Sequence, residues 1–379
     1  STLFPYTTLF RSDVRHYAKP RVKLHNEGLG DYYTEGYRSL NQREWKGVRD
    51  TAYDFASWLK VYGYMAVTLG KHPVALTKSF VRYPWMASYL TVANMLDRHK
   101  LGLRGKQLRY TQEQFYGVVH NSVDVIAKII ERDENLNSPN NKRAAKLRAK
   151  TVMFDEMTPS IIMAGFPMLD WIDIAMSPVC LPGEVDQNAN IMYVDAAERM
   201  GLAADVCPLP SAEVGCAIVD DYPQVGSSFI TSSMPCDGSL GAALFMDRYM
   251  KKLPSFTLTP PQRFNEPETN AYAVKDLKNC IRFIEETYDV KWDWDAFWKK
   301  AEEYNKTTQC MLDKWDVNCT PYPQVIGSAL SLQREYEFQT AACLDSFMTK
   351  QDEKVTKMML KGYEEDREAD RRDYKYRAI

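Results

Sequence analysis

Histidine is scarce in this chain: five residues in 379, the last of them His120. A mixed Cys and His zinc site, or a cysteine nucleophile activated by a neighbouring histidine, therefore has no local support beyond that point. No C-x2-C pair occurs, which removes the usual signature of a structural zinc site. No apolar run approaches the roughly 18 residues of a membrane-spanning helix, and the N-terminus lacks the basic-then-apolar layout of a secretory signal. A cytoplasmic protein with no membrane association is expected. The eight cysteines make an even number, but the chain is far longer than the small secreted domains that rely on disulfides. Reduced thiols or metal thiolates are the expectation.

What is present is ordinary globular material, 45% hydrophobic with a net charge of -2. That small net charge hides an asymmetry. Residues 1–150 hold 25 Lys and Arg against 13 Asp and Glu, and the remainder holds 23 against 37. A basic region can meet a phosphate-bearing ligand or an acidic partner, or can be a solvated helical face. The basic clusters Lys100 to Arg109 and Lys142 to Lys150 lack the interleaved aromatics of a single-strand platform, so nucleic acid is not an expected partner. Gly28-Leu29-Gly30 and the run Gly102 to Gly105 read as turns rather than phosphate loops, since neither joins a clear strand to a helix.

Periodicity divides the chain. Residues 1–12 match no pattern that follows and read as a translated sequencing-adapter artefact. Residues 13–149 are mostly helical and basic, with apolar residues at three- and four-residue spacing, as in Trp58, Val61, Tyr62 and Met65. Residues 150–260 alternate strand and helix patterns. Strands are predicted at Thr151 to Phe154, Ile172 to Met176, Leu202 to Val206, Phe229 to Thr231 and Ser255 to Leu258, with helices at Asn190 to Met200 and Ser211 to Val219. Thr158 or Asp155 is a candidate cap for a helix from Ser160. Residues 261–379 return to helix, and the chain is expected to stop before a second α/β domain. The fold class is α/β: a parallel sheet flanked by helices, with a mostly helical N-terminal region and a helical C-terminal extension.

Four cysteines fall between Ser177 and Gly238, namely Cys180, Cys207, Cys216 and Cys236, and their spacings of 27, 9 and 20 residues suit a site assembled from separate strand ends. A parallel sheet gathers the carboxyl ends of its strands along one edge, so Cys180, Cys207 and Cys236 are expected to approach one another there. Iron–sulfur clusters accept such scattered thiolates, while the plain alternative is a packed α/β core. Cys280, Cys310 and Cys343 lie in helical patterns and read as small buried hydrophobes. Cys319 follows Asn318 in a predicted inter-helix loop.

Several blocks carry a family resemblance. Phe154-Asp155-Glu156-Met157-Thr158-Pro159, the run Asp195 to Leu202, Cys207 and Met234-Pro235-Cys236-Asp237-Gly238 resemble successive blocks of the 2-hydroxyacyl-CoA dehydratase and benzoyl-CoA reductase family. The run Cys280 to Glu286, with Trp294-Asp295 and Asn305 behind it, is similar to that family's helical connection, so the likeness spans about Thr151 to Tyr322. The resemblance implies one subunit of a heterodimeric lyase of anaerobic amino acid fermentation, carrying a 4Fe-4S cluster held by three cysteines. An ATP-hydrolysing activator protein would deliver a low-potential electron to a 2-hydroxyacyl-CoA, giving a ketyl radical that expels hydroxide; in the reductases the electron goes to an aromatic ring. Cys207 and Cys236 match the family's first two ligands, with the third expected beyond residue 379. Cys180 is a further metal-ligand candidate, and Cys216 has no matching family position. The resemblance assigns no catalytic side chain. Two alternatives stay open: an electron-relay subunit, including relatives with a double cluster, and a cluster-free scaffold.

Overall fold

The computed structural model describes residues 47–92, 103–155, 159–185, 189–233, 237–249, 253–261, 266–326, 329–344 and 346–371. The adapter-like residues 1–12, the turn Gly28-Leu29-Gly30, Thr158 and Cys236 lie outside this set.

Two long helices open the described chain. Helix α1 (Val48–Leu69) is followed by α2 (Pro73–Arg82), which starts on a proline at its first turn, where the fixed φ suits a helix and the missing N–H is no loss. A 3-10 segment, Pro84–Thr91, leads toward α3 (Gly105–Arg132), whose inward face carries Phe115, Val119, Val123, Ile126 and Ile130 at helical spacing. The short α4 (Lys142–Arg148) is capped by Asn141, which accepts the N–H of Ala144 at 3.1 Å.

The sheet follows. Strand β1 (Thr151–Phe154), β2 (Asp170–Asp173), β3 (Ser228–Ser232) and β4 (Ser255–Leu258) are all parallel, in the order β2-β1-β3-β4. Period-2 alternation decides which residue meets which layer. Met153 pairs with Ile172 and Phe229 and faces the large core under α3. Val152 and Phe154, paired with Trp171 and Ile230, face a second core that includes Cys280 and Ile284. With both faces covered, β1 and β3 are buried along their whole length, as parallel strands must be.

Between β2 and β3 run a π-helical turn, Met176–Cys180, then α5 (Leu181–Val185), α6 (Ile191–Arg199) and α7 (Pro208–Ile218). The expected strand at Leu202 to Val206 is absent: that segment is a turn between α6 and α7 in which Ala203, Ala204 and Asp205 are exposed. Leu202 and Val206 at its two ends pack on the large core, but the three residues between them offer no alternating apolar row for a sheet. The helix expected from Ser160 is a 3-10 segment, Ser160–Gly165, with Pro159 at its N-cap and no side-chain cap bond from Asp155.

Helix α8 (Asp237–Tyr249) links β3 to β4, and the chain then becomes helical: α9 (Pro267–Tyr288), α10 (Trp294–Asn318), α11 (Ala329–Cys343) and α12 (Ser346–Glu368). Asp293 caps α10, accepting the N–H of Ala296 at 3.0 Å. Helices α11 and α12 fold back against α3, where the ring of Tyr336 fills the space above Gly117. The basic and acidic parts of the chain meet there, since Lys106 pairs with Asp366 at 2.6 Å and Lys354 with Glu113 at 2.7 Å. Elsewhere Arg82 pairs with Asp220 and Asp221, and Lys128 and Arg132 pair with Asp170, so part of the N-terminal charge excess is answered within the chain. Lys314 of α10 is fully buried, paired with Asp352 of α12 and 3.6 Å from Glu337 of α11. Among the described residues no helix is long and apolar enough to cross a membrane.

Candidate functional site

In the strand order β2-β1-β3-β4 the chain leaves β1 toward one edge and later returns to β3 on the other side. Such a reversal opens a crevice between the carboxyl ends of the two strands, the usual ligand position in an open parallel sheet. Here those ends are Asp155, one residue past β1, and Ser232-Ser233, at and just past the end of β3.

The two ends are bonded together. The Asp155 N–H donates to the carbonyl of Ile230 at 3.2 Å, and the Asp155 carboxylate accepts the N–H of Ser232 at 3.1 Å. Ser233 in turn donates its N–H to the carbonyl of Leu258 at 2.8 Å, one rung past the end of β3. Behind the crevice, the Tyr222 hydroxyl donates to Glu213 of α7 at 3.0 Å. Burial raises the Tyr222 hydroxyl well above its ordinary range, and the charges of Glu213, Asp155 and Asp173 raise it further. The floor of the carboxyl edge is thus acidic and closed to solvent.

The cysteines divide by environment. Cys207 is exposed and stands at the N-cap of α7, followed by Pro208 at the first helical position, and its carbonyl accepts the Ser211 hydroxyl at 3.0 Å. Proline holds the backbone in place while the thiol remains at the surface, beside the positive end of an 11-residue helix. Cys236 lies in the three-residue step between Ser233 and the start of α8; its own placement is outside the described residues. The helices that follow these two cysteines, α7 and α8, pack on each other. Leu202, five positions before Cys207, lies 3.5 Å from where a Cβ on Gly241, in the second turn of α8, would sit. The turn that carries Cys207 and the first turns of α8 are therefore neighbours, and Cys207 reaches this place from an inter-helix turn and not from a strand end.

Cys180 is half-buried at the end of the π-helical turn beyond β2, a turn that α7 also touches. Asn190 fastens this region by donating its amide to the carbonyl of Val179 at 2.7 Å. Cys216 is different. It is fully buried on α7, and burial, followed by the charges of Asp221 and Glu213, raises its thiol well above the ordinary value. It behaves as a neutral core residue. Cys280 is buried in the second core, where burial pushes its thiol up to about 12. Cys310 is half-buried and Cys319 is exposed at the C-cap of α10 rather than in a separate loop.

Thiolate donors suit iron and other soft metals, and Cys207 presents its sulfur at the surface while Cys216 and Cys280 do not. The chemistry of Cys207 therefore fits a cluster ligand, whereas that of Cys216 and Cys280 does not. Among the described residues, which exclude Cys236, no group of three or more His, Cys, Asp or Glu is placed to hold a metal. The parts of the site that are not cysteine carry little local pattern: Asp155 closes a strand and does not cap a helix, and Glu213 and Tyr222 belong to no motif. The position of Asp155 directly after a buried strand was the available signal.

The family model described as 2-hydroxyglutaryl-CoA dehydratase, D-component, matches residues 185–377. The matched region begins at the end of α5 and contains Cys207, Cys236 and the whole of α6 through α12. A comparison with curated proteins finds no match.

Proposed function

From its membership of the 2-hydroxyglutaryl-CoA dehydratase D-component family, we propose that this chain is the iron–sulfur subunit of a 2-hydroxyacyl-CoA dehydratase. The observation that supports the proposal is the exposed Cys207 in the turn beside the first turns of α8, with α7 packed on α8 and Leu202 beside Gly241. Cys207 and Cys236 are the proposed ligands from this chain. Cys180, half-buried beyond β2, is the next candidate. The reaction proposed is loss of water from a 2-hydroxyacyl-CoA, started by one electron from an ATP-hydrolysing activator protein, with a second dehydratase component as partner. A bound 4Fe-4S cluster would supply the one-electron chemistry, and an iron without a protein ligand would supply Lewis acidity toward a substrate oxygen.

The chain's own residues contribute placement and the exclusion of water. Asp155 holds the end of β3 in register with the end of β1. Pro208 stiffens the backbone behind Cys207. Buried Tyr222, Glu213 and Ser233 close the floor, so a reactive species above them is shielded on that side. The cofactor carries the redox step, and the protein sets its position and surroundings.

The test is iron retention in the full chain, co-expressed with its companion component and reconstituted anaerobically. Cys236→Ser and Cys207→Ser are expected to lose most of the iron and the cluster's electron paramagnetic resonance signal, because a hydroxyl is a poor replacement for thiolate on iron. Cys280→Ser, in the second core, is expected to keep both. Equal iron content in all three folded variants would mean that the cysteines are ordinary packing residues, and the proposal would fall.

A further inference from the structure

Helix α1 is apolar on two sides. Its inward side holds Val61 and Leu69, with Trp58 edge-on to Phe115 at 6.1 Å and Tyr64 stacked on His120 at 4.2 Å, and these contacts secure it to α3. On the outward side, Val48, Ala52, Phe55, Leu59, Tyr62 and Ala66 follow one another at alternating steps of four and three residues. All six are exposed, Val48 at 76%, Phe55 at 64%, Leu59 at 60% and Tyr62 at 41%. Alternating steps of four and three form the seam by which one helix takes another through interdigitated side chains. The seam runs about 27 Å at 1.5 Å per residue.

A helix that is apolar all round is ordinarily a buried helix. The inward contacts already hold α1 in the fold, so the outward seam is surplus to folding. Small residues in it, Ala52 and Ala66, with Ala56 and Gly63 alongside, lower its profile and let another helix approach closely.

Charge indicates what kind of helix. The two acids of α1 are turned inward: Asp50 accepts the N–H of Gly105 at 2.8 Å and pairs with Arg109 at 3.5 Å, and Asp54 accepts the Gln112 amide at 2.5 Å. The exposed charge beside the seam is positive, and the second cation there is shared with Glu113 and the Tyr116 ring of α3. Arg49 is exposed, and Lys60 keeps 43% of its side chain exposed while reaching Glu113 at 3.5 Å. A second copy of the same seam would set positive charge against positive charge, whereas a helix with flanking Asp or Glu would complement it.

We infer that the outward seam of α1 is the docking surface for the second dehydratase component, which presents there an amphipathic helix with an apolar stripe and acidic flanks. This rests on the reading of the chain as one component of a two-component enzyme.

The experiment uses the full chain co-expressed anaerobically with its companion component, with affinity measured by titration of the separated components and mass by light scattering. Phe55→Glu with Leu59→Glu is expected to weaken the complex at least about tenfold, since it sets two charges in the centre of an apolar contact. Arg49→Glu is expected to weaken it less, with an effect that fades at high salt. Because both seam side chains are exposed, the double variant should keep the wild-type circular dichroism and Tm. A photo-crosslinking residue at position 55 gives a second readout independent of folding, and should attach to the companion component. Retention of the complex by the double variant, together with no crosslink to the companion, would overturn the docking surface and leave the component reading standing. Failure of the wild-type chain to pair with the companion at all would overturn both. A fall in Tm in the double variant would mean that residues 1–46 or another part of the chain cover the seam, and the inference would fail. So would a wild-type homodimer split by the variant, or binding to vesicles of anionic lipid that the variant abolishes while pairing is unchanged.

Discussion

The carboxylate of Asp155 accepts the backbone N–H of Ser232 at 3.1 Å, which ties the residue after β1 to the last residue of β3. This is a side chain acting as one more rung of the sheet, at the point where the ladder would otherwise end. It fixes the end of β3 at Ser232 and Ser233.

Asp155→Ala should therefore lower stability by about 1 to 3 kcal/mol, because it leaves a buried N–H without its acceptor. Asp155→Asn keeps an acceptor oxygen and should lose less. Urea denaturation orders the three proteins, and the Ala variant should also retain less iron after reconstitution than the Asn variant.

Helices α6 and α7 touch at Gly215, where a Cβ would fall 1.7 Å from the carbonyl oxygen of Tyr193. Gly215→Ala must push the helices apart and is expected to cost about 3 kcal/mol or more, or to prevent folding. Gly63→Ala is the contrast, with nothing within 4 Å of the added carbon, and helix propensity alone should make it stabilising by up to about 1 kcal/mol. Thermal unfolding of the two variants checks both signs.

Asp133 is buried, and burial pushes its carboxyl up to about 6 although it accepts from Tyr83 and from the N–H groups of Asn135 and Gln224. Between the unfolded value near 4 and this folded value, the folded chain holds a proton that the unfolded chain has released. Stability should then fall as pH rises through that window, by roughly 3 kcal/mol, and level off above it. Asp133→Asn removes the titration, and its stability between about pH 4 and 6 should run flatter than that of the wild type in denaturant melts.

Thiol labelling should follow exposure and not position in the chain. In metal-free protein Cys207 and Cys319 are expected to alkylate quickly, while Cys216 and Cys280, buried with raised thiols, should stay protected until the chain unfolds. Peptide mass spectrometry resolves the four. After anaerobic reconstitution Cys207 should become protected and Cys319 should not.

The sequence by itself was enough for the strands Thr151–Phe154 and Ser255–Leu258, for β3 within a residue or two, and for helices α6 and α7, because short β-branched or aromatic runs and amphipathic periods are local properties. It was enough, too, to single out Cys280 as a core residue, from the helical spacing of Leu277, Ile281 and Ile284 around it. Leu202 to Val206 misled, because five residues of mixed apolarity look like a strand until one asks what they bury; in the fold only the two ends, Leu202 beside Gly241 and the half-buried Val206, meet the core, and the three residues between them face solvent. Only the tertiary structure could set the strand order β2-β1-β3-β4, and with it the crevice between Asp155 and Ser232, since strand order depends on which faces pack and not on any local pattern. The same holds for the cysteines. Thiols nine residues apart, Cys207 and Cys216, look alike in sequence, yet one stands at the surface end of α7 and the other in the core, because most of that 11-residue helix lies between them and carries the chain from solvent into the core that also holds Tyr193.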